Sequence, residues 1–292
     1  MMDLERLQPK LFAEFKAILE TKRLNHAYLF SGDFASLDMA LYLAQSRFCE
    51  SPKDQLPCGN CRSCQLIARN EFSDVKYLEP VGQIIKTETV KELMSNFSRT
   101  GFEGTSQVFI IRDCEKMHLN AANSLLKFIE EPQSDSYMFL LTSDANKVLP
   151  TIKSRCQIFN FPKNINYLTE VAEKAGLLKT NAQLFAQVAK DASDLEKLVQ
   201  NKKNLDLLQA SQRFYQIWQK NTDQAYLEVS RLTQIATDKN EQELVLQFLM
   251  LLLGKGSVSQ KKVVDLQKIN KARLMWISNV SFQNALEYMV IS

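Results

Sequence analysis

The sequence predicts an α/β fold that gives way past its midpoint to an all-helical half. Three observations carry this. Up to Phe161, short apolar runs alternate with segments of helical periodicity, which implies a parallel sheet with both faces covered. From Ile165 the strand signals stop, no Pro follows Pro162, and the only glycines are Gly176, Gly254 and Gly256, as expected of a helical array. Between the two patterns of the first half lies a cluster of four cysteines, an insertion after the first crossover helix.

In chain order, the spacing predicts a helix over Leu7–Leu19 and a strand over His26–Phe30. A helix over Leu37–Phe48 follows, then a strand over Val75–Glu79 and a helix over Thr87–Ser98. A strand over Gln107–Arg112, a helix over Ala121–Glu131, and strands over Tyr137–Thr142 and Gln157–Phe161 complete the alternating half. The remaining helices are predicted over Tyr167–Ala175, Thr180–Ala189, Asp194–Gln200, Leu205–Trp218, Gln224–Thr237, Glu241–Leu253, Lys261–Arg273 and Met275–Val290. Boundaries near Pro162–Asn164 and Lys202–Asn204 divide the chain into 1–163, 164–203 and 204–292.

At 292 residues and 45% hydrophobic, the chain is long and apolar enough for ordinary globular cores. Thirty-six basic against 33 acidic side chains leave a net charge of +3. That balance does not demand a nucleic-acid or anionic membrane partner. Residues 1–22 are studded with charge and lack the apolar core of a signal peptide. The longest apolar stretch, Leu244–Leu253, is interrupted by Gln247 and too short for a membrane span. The expectation is a soluble, cytoplasmic protein without membrane contact.

Gly32 to Met39 keeps the frame of a phosphate-binding loop, G-x-x-x-x-G-K-[ST], without its chemistry. Leu37, Asp38 and Met39 replace the second glycine, the lysine and the hydroxyl residue. Those groups would admit the backbone to the phosphates, neutralise them and hold magnesium. Asp38 sets a negative charge where a triphosphate brings its own, so no ATP is expected to bind this chain.

Cys49, Cys58, Cys61 and Cys64 follow C-x8-C-x2-C-x2-C, with Pro57 and Gly59 shaping the turns. Four thiolates suit a closed, structural Zn²⁺ site. An iron–sulfur cluster is the rival, but the C-x3-C-P continuation of the ferredoxin run is missing, since Gln65, Leu66, Ile67 and Ala68 follow. Free reduced thiols are the third possibility. Cys114 and Cys156 adjoin apolar strands and read as small buried side chains.

Three further stretches point to a family. Phe109-Ile110-Ile111-Arg112-Asp113 is a strand of the kind that ends in an acidic pair. Ala121-Ala122-Asn123-Ser124-Leu125-Leu126-Lys127-Phe128-Ile129-Glu130-Glu131-Pro132 follows, and Leu140-Leu141-Thr142-Ser143-Asp144 then leads into Thr151-Ile152-Lys153-Ser154-Arg155-Cys156. This order resembles the clamp-loader branch of the AAA+ ATPases, and with the four-cysteine insertion it resembles the subunits of bacterial DNA polymerase III. The motif-bearing resemblance spans Leu24 to Phe161. It implies an AAA+ (P-loop NTPase-like) domain with a zinc insertion, a small helical lid and an all-α collar that closes a five-subunit ring.

The same resemblance assigns roles. Arg112 and Asp113 fall where the family's magnesium-binding acidic pair stands, or Asp113 and Cys114 if the alignment slips by one, so this acidic site is incomplete as well. Ser154-Arg155-Cys156 is intact, and its Arg155 is implied to act in trans on the ATP of a neighbouring motor subunit. By itself an arginine there reads as a surface side chain that caps a helix end or pairs with a nearby carboxylate. Thr142 and Ser143 lie where the family senses the γ-phosphate, or simply end a strand. The implied partners are the gamma and tau motor subunits and a delta subunit, with the sliding clamp and primed DNA reached through the complex. The expectation is a stator without intrinsic ATPase. The alternatives are an ATP-binding motor with an unusual loop and a zinc-bearing nucleic-acid-binding module.

Other features have plainer readings. Lys255 to Arg273 carries six basic side chains against Asp265, a solvated or subunit-contact face more often than a DNA contact, without aromatics for base stacking. Phe214, Tyr215 and Trp218 form a helical core stripe. Glu130 and Glu131 end a helix where the macrodipole disfavours them, which sometimes marks a contact surface but more often means solvated acids, here just before Pro132. His26 and His118 read as structural.

Overall fold

The protein is described from a computed structural model, which covers residues 4–95, 106–131, 135–257 and 259–292. It forms two compact units, 1–164 and 165–292. The first contains α1 (Leu4–Leu7), α2 (Pro9–Glu20), β1 (Ala27–Ser31), α3 (Ser36–Phe48), α4 (Arg62–Ala68) and β2 (Val75–Leu78). It continues through α5 (Thr87–Ser95), β3 (Ser106–Ile111), α6 (Leu119–Glu130), β4 (Asp135–Thr142), α7 (Pro150–Lys153) and β5 (Gln157–Asn160). The predicted end of α5 at Ser98, and Pro132 after α6, lie outside the described residues.

The five strands pair in the order β2-β3-β4-β1-β5, and every pairing is parallel. This is the α/β, AAA+-type sheet expected from the alternation of patterns. The pleat sends alternate residues to opposite faces. Tyr28, Phe30, Val108, Ile110, Phe139 and Leu141 meet Phe15 of α2 and Met39 and Leu43 of α3 on one face. Leu29, Phe109, Ile111 and Leu140 meet Val90 of α5 and Leu125 and Ile129 of α6 on the other. Phe15 is the hub of the first face, with ring centroids 4.6–5.8 Å from Phe159, Phe30 and Tyr28.

Local chemistry explains where the boundaries moved. The single N-terminal helix of the sequence reading is two, because Pro9 occupies the first turn of α2, where its missing N–H costs nothing. Helix α4 had no strong signal, since it is only seven residues long and is started by the Cys61 sulfur rather than by Ser, Thr or Asp.

The second unit is helical: α8 (Ile165–Lys174), α9 (Lys179–Val188), α10 (Ala192–Gln200), α11 (Lys202–Trp218), α12 (Thr222–Ile235), α13 (Lys239–Gly254), α14 (Gln260–Ile277) and α15 (Phe282–Ile291). The predicted break after Arg273 is displaced: α14 runs on to Ile277, Asn279 takes a left-handed turn at φ 69° and the Ser281 hydroxyl caps α15. Phe214 and Trp218 are buried and stacked, 6.4 Å between centroids, as core. No helix among the described residues is long and apolar enough to cross a membrane.

Candidate functional site

β1 delivers the chain into the loop at Gly32, whose N–H donates to the Thr142 carbonyl of β4 at 2.8 Å. Gly32 has φ +104°, and a Cβ there would lie 2.3 Å from the Phe161 carbonyl oxygen, so only glycine fits. Phe34 is buried, and its carbonyl accepts from the Gln8 side chain at 2.9 Å, which also donates to Pro162 O at 2.8 Å. Ala35 in the left-handed region turns the chain into α3. Met39, at the hydroxyl position of the loop frame, is wholly buried in the sheet core. Leu37 packs against the same core, and Asp38 stands in the first turn of α3.

At the neighbouring strand ends, β3 closes with Arg112 N donating to Leu78 O at 2.8 Å. The Arg112 side chain turns toward β2, 3.2 Å from the Tyr77 hydroxyl and 3.7 Å from Glu79. Asp113, left-handed at φ 48°, pairs with Lys116 at 2.9 Å, and Cys114 is buried. Ser143 donates to Glu115 at 2.9 Å, while the Thr142 hydroxyl bonds with the Asp144 backbone. Burial pushes the Asp33 carboxyl up, reinforced by Asp113 and Glu115 and opposed by Arg112 and Lys116. Asp33, Asp113 and Glu115 therefore gather beside the loop, with Arg112 and Lys116 among them. Asp33, Glu115 and Gln8 were missed in the sequence, because each is recruited by proximity in space rather than by spacing.

Arg155 follows α7 on the exposed surface. Its Nε and Nη2 both meet Glu130 Oε1 at the end of α6, and its Nη1 donates to Thr151 O and Ser154 Oγ at 3.1 and 3.3 Å. The carboxylate pairing weighed for a surface arginine is thus present, and the helix-end acid is matched by a cation. His26 Nε2 lies 2.7 Å from Ile129 O on the same helix, and His118 Nδ1 accepts from Asn120 N at the start of α6. Both histidines serve the backbone.

The four cysteine sulfurs lie within 4.8 Å of one another. Cys49 caps the end of α3, and Cys61 opens α4 by accepting from Cys64 N at 3.4 Å. Cys58 N donates to Cys49 Sγ at 3.2 Å and Cys61 N to Cys58 Sγ at 3.3 Å. Backbone N–H groups of Asn60 and Cys61 bring the Cys58 thiol down to about 6, while burial pushes Cys49 and Cys64 up. Sulfurs bound at about 2.3 Å around one tetrahedral ion stand about 3.8 Å apart, so this group can hold a metal. Ile67 of α4 and Phe72 beyond it are buried in the sheet core, so the insertion is built into the domain.

In the second unit the basic stretch is largely engaged. Arg273 forks onto Glu243 at 2.7–3.2 Å, Lys261 donates to Gln219 O at 3.4 Å, Lys262 to Lys255 O, and Lys271 lies 5.6 Å over the Tyr288 ring. Asp265 is buried and accepts from Gln219 at 3.1 Å.

A family model described as DNA polymerase III, delta subunit, matches residues 7–165. DNA polymerase III subunit delta' of Bacillus subtilis (strain 168) is 30% identical over 278 residues, 94% of this chain and 82% of that protein. The chain belongs to the delta-prime family of DNA polymerase III subunits. Outside that family, the tau subunit of Escherichia coli (strain K12) is 32% identical over 144 residues, 49% of this chain and 22% of that protein. A gamma subunit-related protein from Thermotoga maritima, solved as a crystal structure, shares the fold of this delta-prime family member: TM-score 0.52 and 20% identity, covering 95% of this chain and 96% of that one.

Proposed function

We propose that this chain is the non-hydrolysing stator of a replicative clamp loader, bracing the ring and lending Arg155 to the ATP of an adjacent motor subunit. Met39 carries the first part of the reading. A buried thioether stands where magnesium needs a hydroxyl, and Asp38, Asp33 and Glu115 add negative charge where a triphosphate would bring more. The exposed Arg155 supports the second part: a guanidinium at the surface can stabilise phosphoryl charge across a subunit boundary. The partners are gamma and tau motors and a delta subunit, through which the ring opens a sliding clamp on primed DNA. Within 165–292, the helices up to about residue 203 serve as lid and the rest as collar.

Cys49, Cys58, Cys61 and Cys64 hold a structural zinc ion. A four-sulfur shell leaves no open coordination position, so the metal fixes the ends of α3 and α4 and takes no part in chemistry.

The test is Arg155→Ala in the complex reconstituted with its motor and delta subunits. Turnover at the adjacent site should fall by about 10³-fold or more, with the isolated chain still folded. Unchanged DNA-stimulated ATPase would remove the trans-acting role.

A further inference from the structure

The donors of Arg155 are already committed. Glu130 Oε1 sits in the notch between Nε and Nη2, and Nη1 is turned to Thr151 O and Ser154 Oγ. A guanidinium binds phosphate well by presenting two parallel N–H groups on one edge. Among the described residues both edges are in use, and one N–H of Nη2 remains to offer. Thr151 and Ser154 belong to the same turn as Arg155 and move with it, whereas Glu130 belongs to α6, 25 residues away. Glu130 is also the group that imitates the ligand: an oxyanion of the same charge, in the geometry a phosphate oxygen would take. The negative end of α6 adds to its hold on the cation.

From this we infer that Glu130 is a latch on Arg155, a positioning residue that keeps the guanidinium withdrawn until the phosphates of a neighbouring nucleotide displace it. This rests on the stator reading above. The side chains of Arg155 and Glu130 are 35% and 46% exposed, so the pair is weak enough to be exchanged. Pairs of this kind shift an equilibrium by up to about fivefold. The latch thus opposes subunit engagement in the ground state and in the transition state alike. Its removal should appear as tighter nucleotide engagement rather than as faster chemistry.

The experiment is DNA-stimulated ATP hydrolysis by the reconstituted complex carrying Glu130→Gln, Arg155→Ala or both, after thermal melting shows each variant chain folded. Glu130→Gln keeps the size of the side chain and removes its charge. It should lower the apparent KM for ATP by about two- to fivefold, with a smaller change in kcat. Arg155→Ala should collapse kcat, and the double variant should match Arg155→Ala. A Glu130→Gln complex with reduced kcat and no fall in KM would make Glu130 an aiming residue and overturn the latch, as would one with both constants unchanged. If Arg155→Ala leaves turnover intact, the stator reading itself fails, whatever Glu130→Gln does.

Discussion

A methyl group on Gly32 would lie 2.3 Å from the Phe161 carbonyl oxygen, on a backbone at φ +104°. Gly32→Ala should therefore destabilise the first unit by about 2–4 kcal/mol, measured by denaturant melting, and by the same amount with or without nucleotide. A loss confined to nucleotide-containing buffer would mean that the glycine serves a phosphate after all. The sequence showed Gly32 only as the first letter of a motif, whereas the structure shows that the meeting of β1 and β5 requires it. Arg155 stood out for the opposite reason, because its neighbours form a family string that can be read without contacts. Its partner was half legible: Glu130 stood out as an acid at the wrong end of a helix, but nothing in the spacing of 130 and 155 joins the two. Asp33 and Glu115 were not legible at all, since parallel strands bring their loops together across more than 80 residues of chain.

Helices and strands were mostly readable from periodicity, and the exceptions have local causes. A seven-residue helix begun by a cysteine sulfur, α4, leaves no pattern to count. Its attachment does lead to a prediction. Because Ile67 and Phe72 belong to the sheet core, Cys58→Ser should abolish one bound zinc per chain and also lower the melting temperature of the first unit. A metal content unaffected by Cys58→Ser would dismiss the four-sulfur site. The start of α13 offers a second test. Asp238 and Glu241 form a reciprocal cap, and Glu241 also meets Lys203 of α11 at 2.6 Å. Burial opposes ionisation of Glu241, but Lys203 and the Thr237 and Asp238 N–H groups outweigh it and bring its carboxyl down to about 2. Folding lowers this pKa, so the stabilisation is whole above an ordinary carboxylate pKa of about 4.3 and is lost as pH falls toward 2. Glu241→Gln should cost about 1 kcal/mol near neutrality. It should also flatten the decline of helical-unit stability between about pH 5 and 2. Acid titrations of the two proteins with the same slope would refute the assignment.

Across the whole chain, the division of labour can be tested without any partner. Ligand that binds only the folded state raises its stability in proportion to RT ln(1 + [L]/Kd), so 1 mM ATP–Mg²⁺ acting on a site of about 10 µM affinity would add about 2.7 kcal/mol. Such a shift would be obvious in a melting curve. The loop geometry predicts none: Met39 is closed into the core, Phe34 is held by Gln8, and Asp38 stands in the first turn of α3 where the lysine of a working loop would be. Restoring only the charge, with Asp38→Lys, should not create the site, because the magnesium hydroxyl is still missing and Leu37, packed against the core, still stands in place of the second glycine. A melting temperature raised by ATP–Mg²⁺ in the unaltered chain would instead identify a motor with an unusual loop, and Arg155 would then belong to a subunit that both gives and receives.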